Sequence, residues 1–294
     1  MDGVIIKAYG GFYFVWLGGQ VYPCAIRGKV RHLRGNVLVG DRVQVTLMSD
    51  GEAVIEDILP RSAELVRPPI ANVDQAVIVF ALSSPEPNTL LLDRFLVCAH
   101  VAGVTPVICF NKCDLMIDKF DLAGVYEKAG LSVHWVSAIT GAGITELNEI
   151  LQGRISVFAG PSGVGKSSLL NVLQPGLALK TGEISNKLKR GKHTTRHVEL
   201  IPLTKGGLVA DTPGFSNLYL QSMPREELST YFSEFAPFVE QCRFSGCLHY
   251  REPNCAVKEA VDYNAIPELR YRHYVVLLEE IIAGEKRGKR WNPT

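Results

Sequence analysis

The sequence is short of charge imbalance, of long apolar runs and of cysteines that pair off. Its 294 residues carry 31 Lys and Arg against 30 Asp and Glu, a formal net charge of +1, so bulk electrostatics announces no polyanionic partner. No run approaches the roughly 20 apolar residues of a membrane-spanning helix. The start MDGVIIKAYG lacks the basic residues and the apolar segment of roughly 7 to 15 residues that a secretory signal needs, and a cytoplasmic protein is expected. Of seven cysteines, four are scattered (24, 98, 109 and 113) and three are bunched at 242, 247 and 255. An odd, clustered set does not suit an extracellular disulfide framework; the bunching points to a metal. Internal repeats and low-complexity segments are absent. What is there is 47% hydrophobic sequence, enough for a real core and, by length, about two domains.

Residues 1 to about 66 hold short β-branched or aromatic runs, VIIKAYG, FYFVWLG, QVYPCAIRG, DRVQVTL and AVIEDIL, separated by Gly, Asn and Asp. Gly18 and Gly19 sit where a tight hairpin turn belongs. About five strands fit a small barrel, with the OB-fold as first choice and sandwich or SH3-like barrels as competitors. Pro68 and Pro69 mark a boundary. Beyond it, QAVIVFAL, TPVICF, SVHWVS and RISVFAG read as buried strands alternating with helices at TLLLDRFLVCAHVAG, LAGVYEKAG and GITELNEIL, the pattern of a parallel sheet covered on both faces. After LVADTPGF the alternation stops. EELSTYFSEF places Leu228, Tyr231, Phe232 and Phe235 on one helical stripe, and LRYRHYVVLLEEII places Tyr274, Leu277, Leu278 and Ile281 on another; both read as packing faces.

FAGPSGVGKSSLL contains Gly, four residues, then Gly-Lys-Ser. Glycines let the backbone turn tightly and aim N–H groups at phosphate oxygens, and the following helix N-terminus adds positive potential. Gly160, Pro161, Ser162, Gly163, Val164, Gly165, Lys166, Ser167 and Ser168 are therefore expected to hold a nucleotide, with Lys166 reaching the β and γ phosphates and Ser167 ligating magnesium. The same loop resembles that of guanylate kinase, so a nucleoside monophosphate kinase competes.

NKCD, at Asn111, Lys112, Cys113 and Asp114, ends an apolar strand. A carboxylate at Asp114 accepts from guanine N1–H and the exocyclic amine together, which adenine cannot match. Asn111 would brace the loop, and the stem of Lys112 would lie over the base. VSAIT ends the next strand, where the Ala138 N–H would meet guanine O6 and Ser137 joins the nucleotide-binding set. LVADTPGF ends a strand in Asp211 with Gly214 three residues on; Asp211 would support the magnesium shell and Gly214 would sense the γ-phosphate. Between the two, HTT offers Thr194 or Thr195 as a further magnesium ligand, with Thr195 preferred. Cys242, Cys247, His249 and Cys255, as C-x4-C-x-H-x5-C, match a closed, structural Cys3His zinc site.

Together these motifs resemble the circularly permuted, small-ribosomal-subunit-dependent GTPases of the RsgA type. An ordinary GTPase runs phosphate loop, switch threonine, DxxG, NKxD, Ser-Ala; here NKCD and VSA precede GPSGVGKSS, HTT and DTPG. The resemblance spans nearly the whole chain, because that family also has an N-terminal OB-fold and a C-terminal zinc region. It implies the small ribosomal subunit and its rRNA as partner and a role in late subunit maturation.

Many GTPases position the attacking water with a Gln after DxxG. This chain has Phe215, so slow intrinsic turnover is expected, and His193, beside the threonines, is the water-positioning choice; with Lys166 and Thr195 it completes the catalytic set. Three basic runs, Lys187 to Arg196, Arg27 to Arg34 and the C-terminal EKRGKRW, read singly as solvated surface and together as an rRNA footprint. The expectation is a multidomain α/β chain: an OB-like β-barrel at 1–66, a circularly permuted GTPase domain at 67–218 and a zinc-binding helical domain at 219–294. It would act as a monomeric GTPase using GTP and Mg2+ and stapled by one Zn2+. The alternative from another class is an RNA-binding assembly factor that uses GTP only as a ligand switch.

Overall fold

The computed structural model describes residues 1–28, 36–48, 53–66, 68–115, 122–177, 198–211, 220 and 223–287, the side chains of Val66 and Asp211 excepted. Strands β1 (Asp2–Tyr9), β2 (Phe12–Leu17), β3 (Gln20–Ile26), β4 (Arg42–Leu47) and β5 (Ala53–Ile58) close into a barrel in the order β1-β2-β3-β5-β4. Only β3 and β5 pair in parallel; the other neighbours are antiparallel. This is the five-stranded barrel expected. Alternation builds it: Tyr13, Val15 and Leu17 point inward while Phe12, Phe14 and Trp16 point out, and Ile5, Val43, Val45 and Ile55 complete the interior. Gly18 and Gly19, at φ 58° and 90°, make the tight turn between β2 and β3.

A short hairpin, β6 (Glu64–Val66) and β7 (Pro69–Ala71), spans the proline-marked boundary. It seats the barrel: Gly40 at φ 91° approaches so closely that a Cβ there would lie 2.0 Å from the Ala71 carbonyl oxygen, and Asn72 Nδ2 donates to the Gly40 carbonyl at 2.9 Å. The buried Asp41 accepts from Arg61 Nε at 2.7 Å, while Arg61 Nη1 reaches Glu64 at 2.7 Å. Asp41 is the largest cause of a raised Arg61 pKa.

The second domain is a six-stranded sheet in the order β10 (Ser132–Trp135), β9 (Thr105–Asn111), β8 (Gln75–Ala81), β11 (Ile155–Ala159), β13 (Leu208–Asp211), β12 (Leu200–Pro202). All neighbours are parallel except the edge strand β12. One face buries Val77, Val79, Cys109 and Phe158 against α3 (Ile144–Leu151) and α4 (Lys166–Leu173). The other packs Ile78, Phe80 and Phe110 on α1 (Thr89–Val101) and α2 (Leu122–Lys128), and that core runs on into the C-terminal region. Strands buried on both faces read as unbroken apolar runs, which is why they were visible in the sequence.

The C-terminal region contains the four-residue helix α5 (Ala236–Val239), α6 (Ala256–Asp262) and the long α7 (Glu268–Lys286). The α7 stripe of Tyr274, Leu277, Leu278 and Ile281 is buried as expected. The helix expected over EELSTYFSEF is instead two 3-10 turns, Leu228–Tyr231 and Ser233–Phe235, broken at Phe232 with φ −108° and ψ 85°. Leu228, Phe232 and Phe235 are still buried, so apolar spacing fixed the face but not the winding. Among the described residues no helix is long and apolar enough to cross a membrane.

Candidate nucleotide site and metal centre

The phosphate loop joins β11 to α4 at the centre of the sheet, outside the C-terminal strand ends where ligands bind open α/β sheets. Gly160, Gly163 and Gly165 have φ of 138°, 83° and 95°. A Cβ at Gly160 would lie 2.1 Å from the Val79 carbonyl oxygen, and one at Gly165 would lie 2.3 Å from Asn111 Nδ2. Val164 is buried in the core with Leu169 and Leu170 of α4, an apolar anchor inside a polar loop. Lys166 Nζ donates to the carbonyls of Gly160 at 2.9 Å and Pro161 at 2.8 Å, which holds the ammonium over the loop. Ser167 and Ser168 lie in the first turn of α4, whose N–H groups face outward from the helix start.

Asn111 ends β9, is buried, and has both ends of its amide occupied. Its Nδ2 donates to the Val164 carbonyl at 2.8 Å, and its Oδ1 accepts from the Ala138 N–H at 3.2 Å. One side chain thus ties the phosphate loop to the Ser-Ala loop. The Ala138 N–H assigned from sequence to guanine O6 is therefore engaged by Asn111. Lys112, at φ 63°, donates from Nζ to the Ser84 carbonyl and, at 2.9 Å, to the Gly163 carbonyl; this fixes the direction of its stem. Ser137 is fully buried and its Oγ accepts from the N–H groups of Ile139 at 3.3 Å and Thr140 at 3.1 Å. Asp114 is exposed, in the 3-10 turn Cys113–Leu115. Burial pushes the Cys109 thiol up to about 12, and burial followed by the Asp114 charge raises Cys113, so neither is a thiolate at neutral pH.

Asp211 ends β13 opposite Phe158 of β11, placing its backbone one strand from the phosphate loop. His193, Thr194, Thr195 and Gly214 lie outside the described residues, as do Phe215 and the basic run from Lys187 to Arg196. Of the barrel's basic run, Arg27 is described and pairs with Glu56 at 3.0 Å; of the C-terminal run, Glu285, Lys286 and Arg287 are described.

Cys242, Cys247, His249 and Cys255 bring four ligand atoms within 4.8 Å of one another. Cys242 Sγ and Cys255 Sγ are 3.8 Å apart, and His249 Nδ1 lies 3.5 Å and 3.3 Å from them. Tetrahedral zinc with bonds of about 2.3 Å to sulfur and about 2.0 Å to nitrogen has edges of about 3.8 Å between sulfurs and about 3.5 Å between sulfur and nitrogen. The donors fit that ion. Burial pushes the Cys247 thiol up to about 12 and raises Cys255, and burial lowers His249; a bound cation reverses the thiol preference outright. The loops are held by neighbours that the sequence did not mark as supports of a metal site. Tyr271 and Tyr274 hydroxyls donate to the carbonyls of His249 at 2.8 Å and Leu248 at 2.6 Å, and Glu252 accepts from the Leu248 and Tyr250 N–H groups at 3.1 and 3.0 Å. His249 Nε2 is buried without a hydrogen-bond partner, so the imidazole is oriented from its Nδ1 side and by the Phe235 and Tyr274 rings.

Residues 58–221 match the RsgA GTPase family and residues 2–55 the RsgA N-terminal domain. The chain belongs to the RsgA family of GTPases. It is 50% identical over 289 residues to the small ribosomal subunit biogenesis GTPase RsgA of Caldanaerobacter subterraneus subsp. tengcongensis, covering 98% of each chain. It is likewise 50% identical to the protein of that name from Moorella thermoacetica, covering 97% of this chain and 99% of the other. The crystal structure of YjeQ from Thermotoga maritima superposes with a TM-score of 0.80 at 41% identity, covering 96% of this chain and 98% of that one. YloQ, described as a circularly permuted GTPase, gives 0.81 at 40% identity, covering 99% and 96%. This RsgA-family enzyme therefore has the permuted domain that its motif order implied.

Sequence reasoning missed the Ser84 carbonyl that grips Lys112, and a buried cluster joining the GTPase domain to α7. Arg270, 2% exposed, donates to Asp93 of α1 and, at 2.7 Å, to Glu234. Its guanidinium lies 4.6 Å from the Phe232 ring centroid and 5.5 Å from that of Tyr126. His273 Nδ1 is 2.5 Å from the other Asp93 oxygen.

Proposed function

We propose that this RsgA-family GTPase binds GTP at the Gly160–Ser168 loop, docks on the small ribosomal subunit, hydrolyses GTP when docked and so assists late subunit maturation. The observation that carries the guanine reading is the Asn111 amide, which makes NKCD, the Ser-Ala loop and the phosphate loop one unit. Asp114 accepts from guanine N1–H and the exocyclic amine, and the Lys112 stem, fixed by its ammonium, covers one face of the base. Lys166, on its short tether to the loop carbonyls, exchanges those bonds for phosphate oxygens. Ser167 and Thr195, with Asp211 behind, would hold magnesium, which would supply neutralising charge to the phosphates. With Phe215 in the position of the usual Gln, His193 positions water, and turnover is slow until the chain is docked. The Cys3His cluster holds one structural zinc with no open coordination position for chemistry.

The name shared by the two relatives, and near-complete coverage of both, support the small subunit as partner; its rRNA is the chemistry met by the basic runs. A cytoplasmic monomer suits both. Hydrolysis of GTP by the purified protein should rise steeply on adding purified small subunits and not on adding large ones. Equal turnover with and without small subunits would sink the activated-enzyme reading and leave GTP as a passive ligand.

A further inference from the structure

The edge strand of the GTPase sheet is bridged to the barrel. Lys7 of β1 and Glu199, which immediately precedes β12, form an antiparallel β-bridge, and Lys7 Nζ lies 3.2 Å from a Glu199 carboxylate oxygen. A bulge makes the contact. The β1–β2 register runs Ile5 to Val15 and then Lys7 to Phe14, leaving Ile6 unpaired. Ile5 is buried inside the barrel, whereas Ile6, 4% exposed, is buried in the opposite direction, in the core that holds Leu200 of β12, with Ala8, Phe14 and Val198 packed against it.

The strand so gripped has a particular place in the chain. β12 pairs antiparallel with β13, Leu200 opposite Ala210 and Pro202 opposite Leu208, and the tight turn from Leu203 to Gly207 closes the hairpin. Thr195 precedes Glu199 by four residues, and Asp211 to Gly214 follow directly on β13. The hairpin therefore links the two segments expected to sense the γ-phosphate. An unpaired sheet edge needs only a cover, but a cover attached to this hairpin also resists or assists any displacement of its ends.

We propose that the barrel is an internal docking partner of the β12–β13 hairpin, so that the nucleotide state and the engagement of the barrel are energetically linked through Ile6 and Lys7 on one side and Glu199 and Leu200 on the other. The proposal rests on the assignment of Thr195 and Asp211 to Gly214 as γ-phosphate sensors. Linkage is reciprocal: a barrel that prefers one state of the hairpin shifts nucleotide preference, and nucleotide shifts barrel docking by the same factor.

The test is a charge swap in the full chain, reading affinities for GDP and for a non-hydrolysable GTP analogue. Lys7→Glu and Glu199→Lys should each change the ratio of the two affinities by about 1.5- to 5-fold, the range of a half-exposed ion pair, and the double swap should restore it. Ile6→Ala should move the ratio in the same direction as Lys7→Glu. A bridge that merely covers the edge would alter both affinities equally or neither, and a constant ratio across these variants overturns the proposal. Hydrogen exchange supplies a second reading. Protection of the Ile5 and Gly40 amides, which hydrogen-bond the Asp41 and Ile5 carbonyls, should differ between GDP and analogue in the unaltered chain and not in Lys7→Glu. Absence of that difference in the unaltered chain also overturns it. If the unaltered chain bound neither nucleotide, the switch assignment itself would fall, a failure distinct from a constant ratio with binding intact.

Discussion

Asn111 and Val164, 53 residues apart in the chain, are joined by a 2.8 Å hydrogen bond from a side-chain amide to a backbone carbonyl. The same amide takes the Ala138 N–H on its oxygen. The bond makes motif order irrelevant to the site: wherever the chain is cut, β9 and β11 still flank β8 and their loops still meet. Asn111→Ala leaves the buried Val164 carbonyl and the half-buried Ala138 N–H without partners, at about 1–3 kcal/mol for a buried group. GTP and GDP affinity should both fall by more than tenfold, with a lower Tm, measured by equilibrium binding and thermal unfolding. Unchanged affinity would mean that the phosphate loop holds its shape without Asn111.

Gly165 tests the same bond from the other side. A methyl group there meets Asn111 Nδ2 at 2.3 Å, so Gly165→Ala must break the bond or move the loop, and nucleotide binding should be lost. Gly176→Ala is the control, because Gly176 has a similar φ of 97° with nothing within 4 Å of the added Cβ. It should cost only the backbone strain of about 1–2 kcal/mol and leave nucleotide affinity alone.

The barrel and the parallel sheet were legible because single periodicities dictated them: Tyr13, Val15 and Leu17 alternate inward, and QAVIVFA is buried at every position. The nucleotide motifs were legible because their chemistry demands glycine, lysine and carboxylate at fixed spacing. Contacts between distant segments were not. Nothing local marks Asp93 as a partner for Arg270, 177 residues on, and nothing in VELIP marks β12 as an edge strand seated on the barrel. The 3-10 turns at Leu228–Tyr231 and Ser233–Phe235 share the apolar spacing of a helix; the break between them goes with tertiary contacts such as the Ser233 hydroxyl on the Ala129 carbonyl at 2.8 Å.

The metal centre should carry one zinc per chain by elemental analysis. Cys247→Ser should reduce that content and abolish exchange protection across residues 242–255, because the segment has little apolar core of its own and metal binding there is folding free energy. Nucleotide affinity should persist, since Gly160 to Ser168 and Asn111 take no support from the cluster. Full zinc occupancy in Cys247→Ser would remove that thiolate from the ligand set.

Arg270 holds the GTPase domain and α7 together through two buried carboxylates. Arg270→Met strands both charges, and loss of one partner from a buried ionic network costs about 3–5 kcal/mol. Denaturant unfolding should show a loss of that size. Adding Asp93→Asn and Glu234→Gln should recover part of it, because the uncompensated charge is then gone. No recovery would mean that the guanidinium matters through its packing on Phe232 and Tyr126 rather than through its charge.

Acid should weaken the fold partly through His100 of α1. Burial, then the Arg270 charge, lowers its pKa, with Glu234 acting the other way. A histidine whose folded pKa lies below its unfolded value of about 6.5 binds fewer protons folded than unfolded between the two values, so stability rises with pH there. The contribution is intact above about pH 6.5 and is lost as pH falls below it. Urea midpoints at pH 7.5 and 5.5 should therefore differ more for the unaltered chain than for His100→Gln. The comparison isolates His100, because His134, also lowered by burial, and the zinc ligands titrate in both proteins. Equal pH dependence in the two would place the acid sensitivity elsewhere.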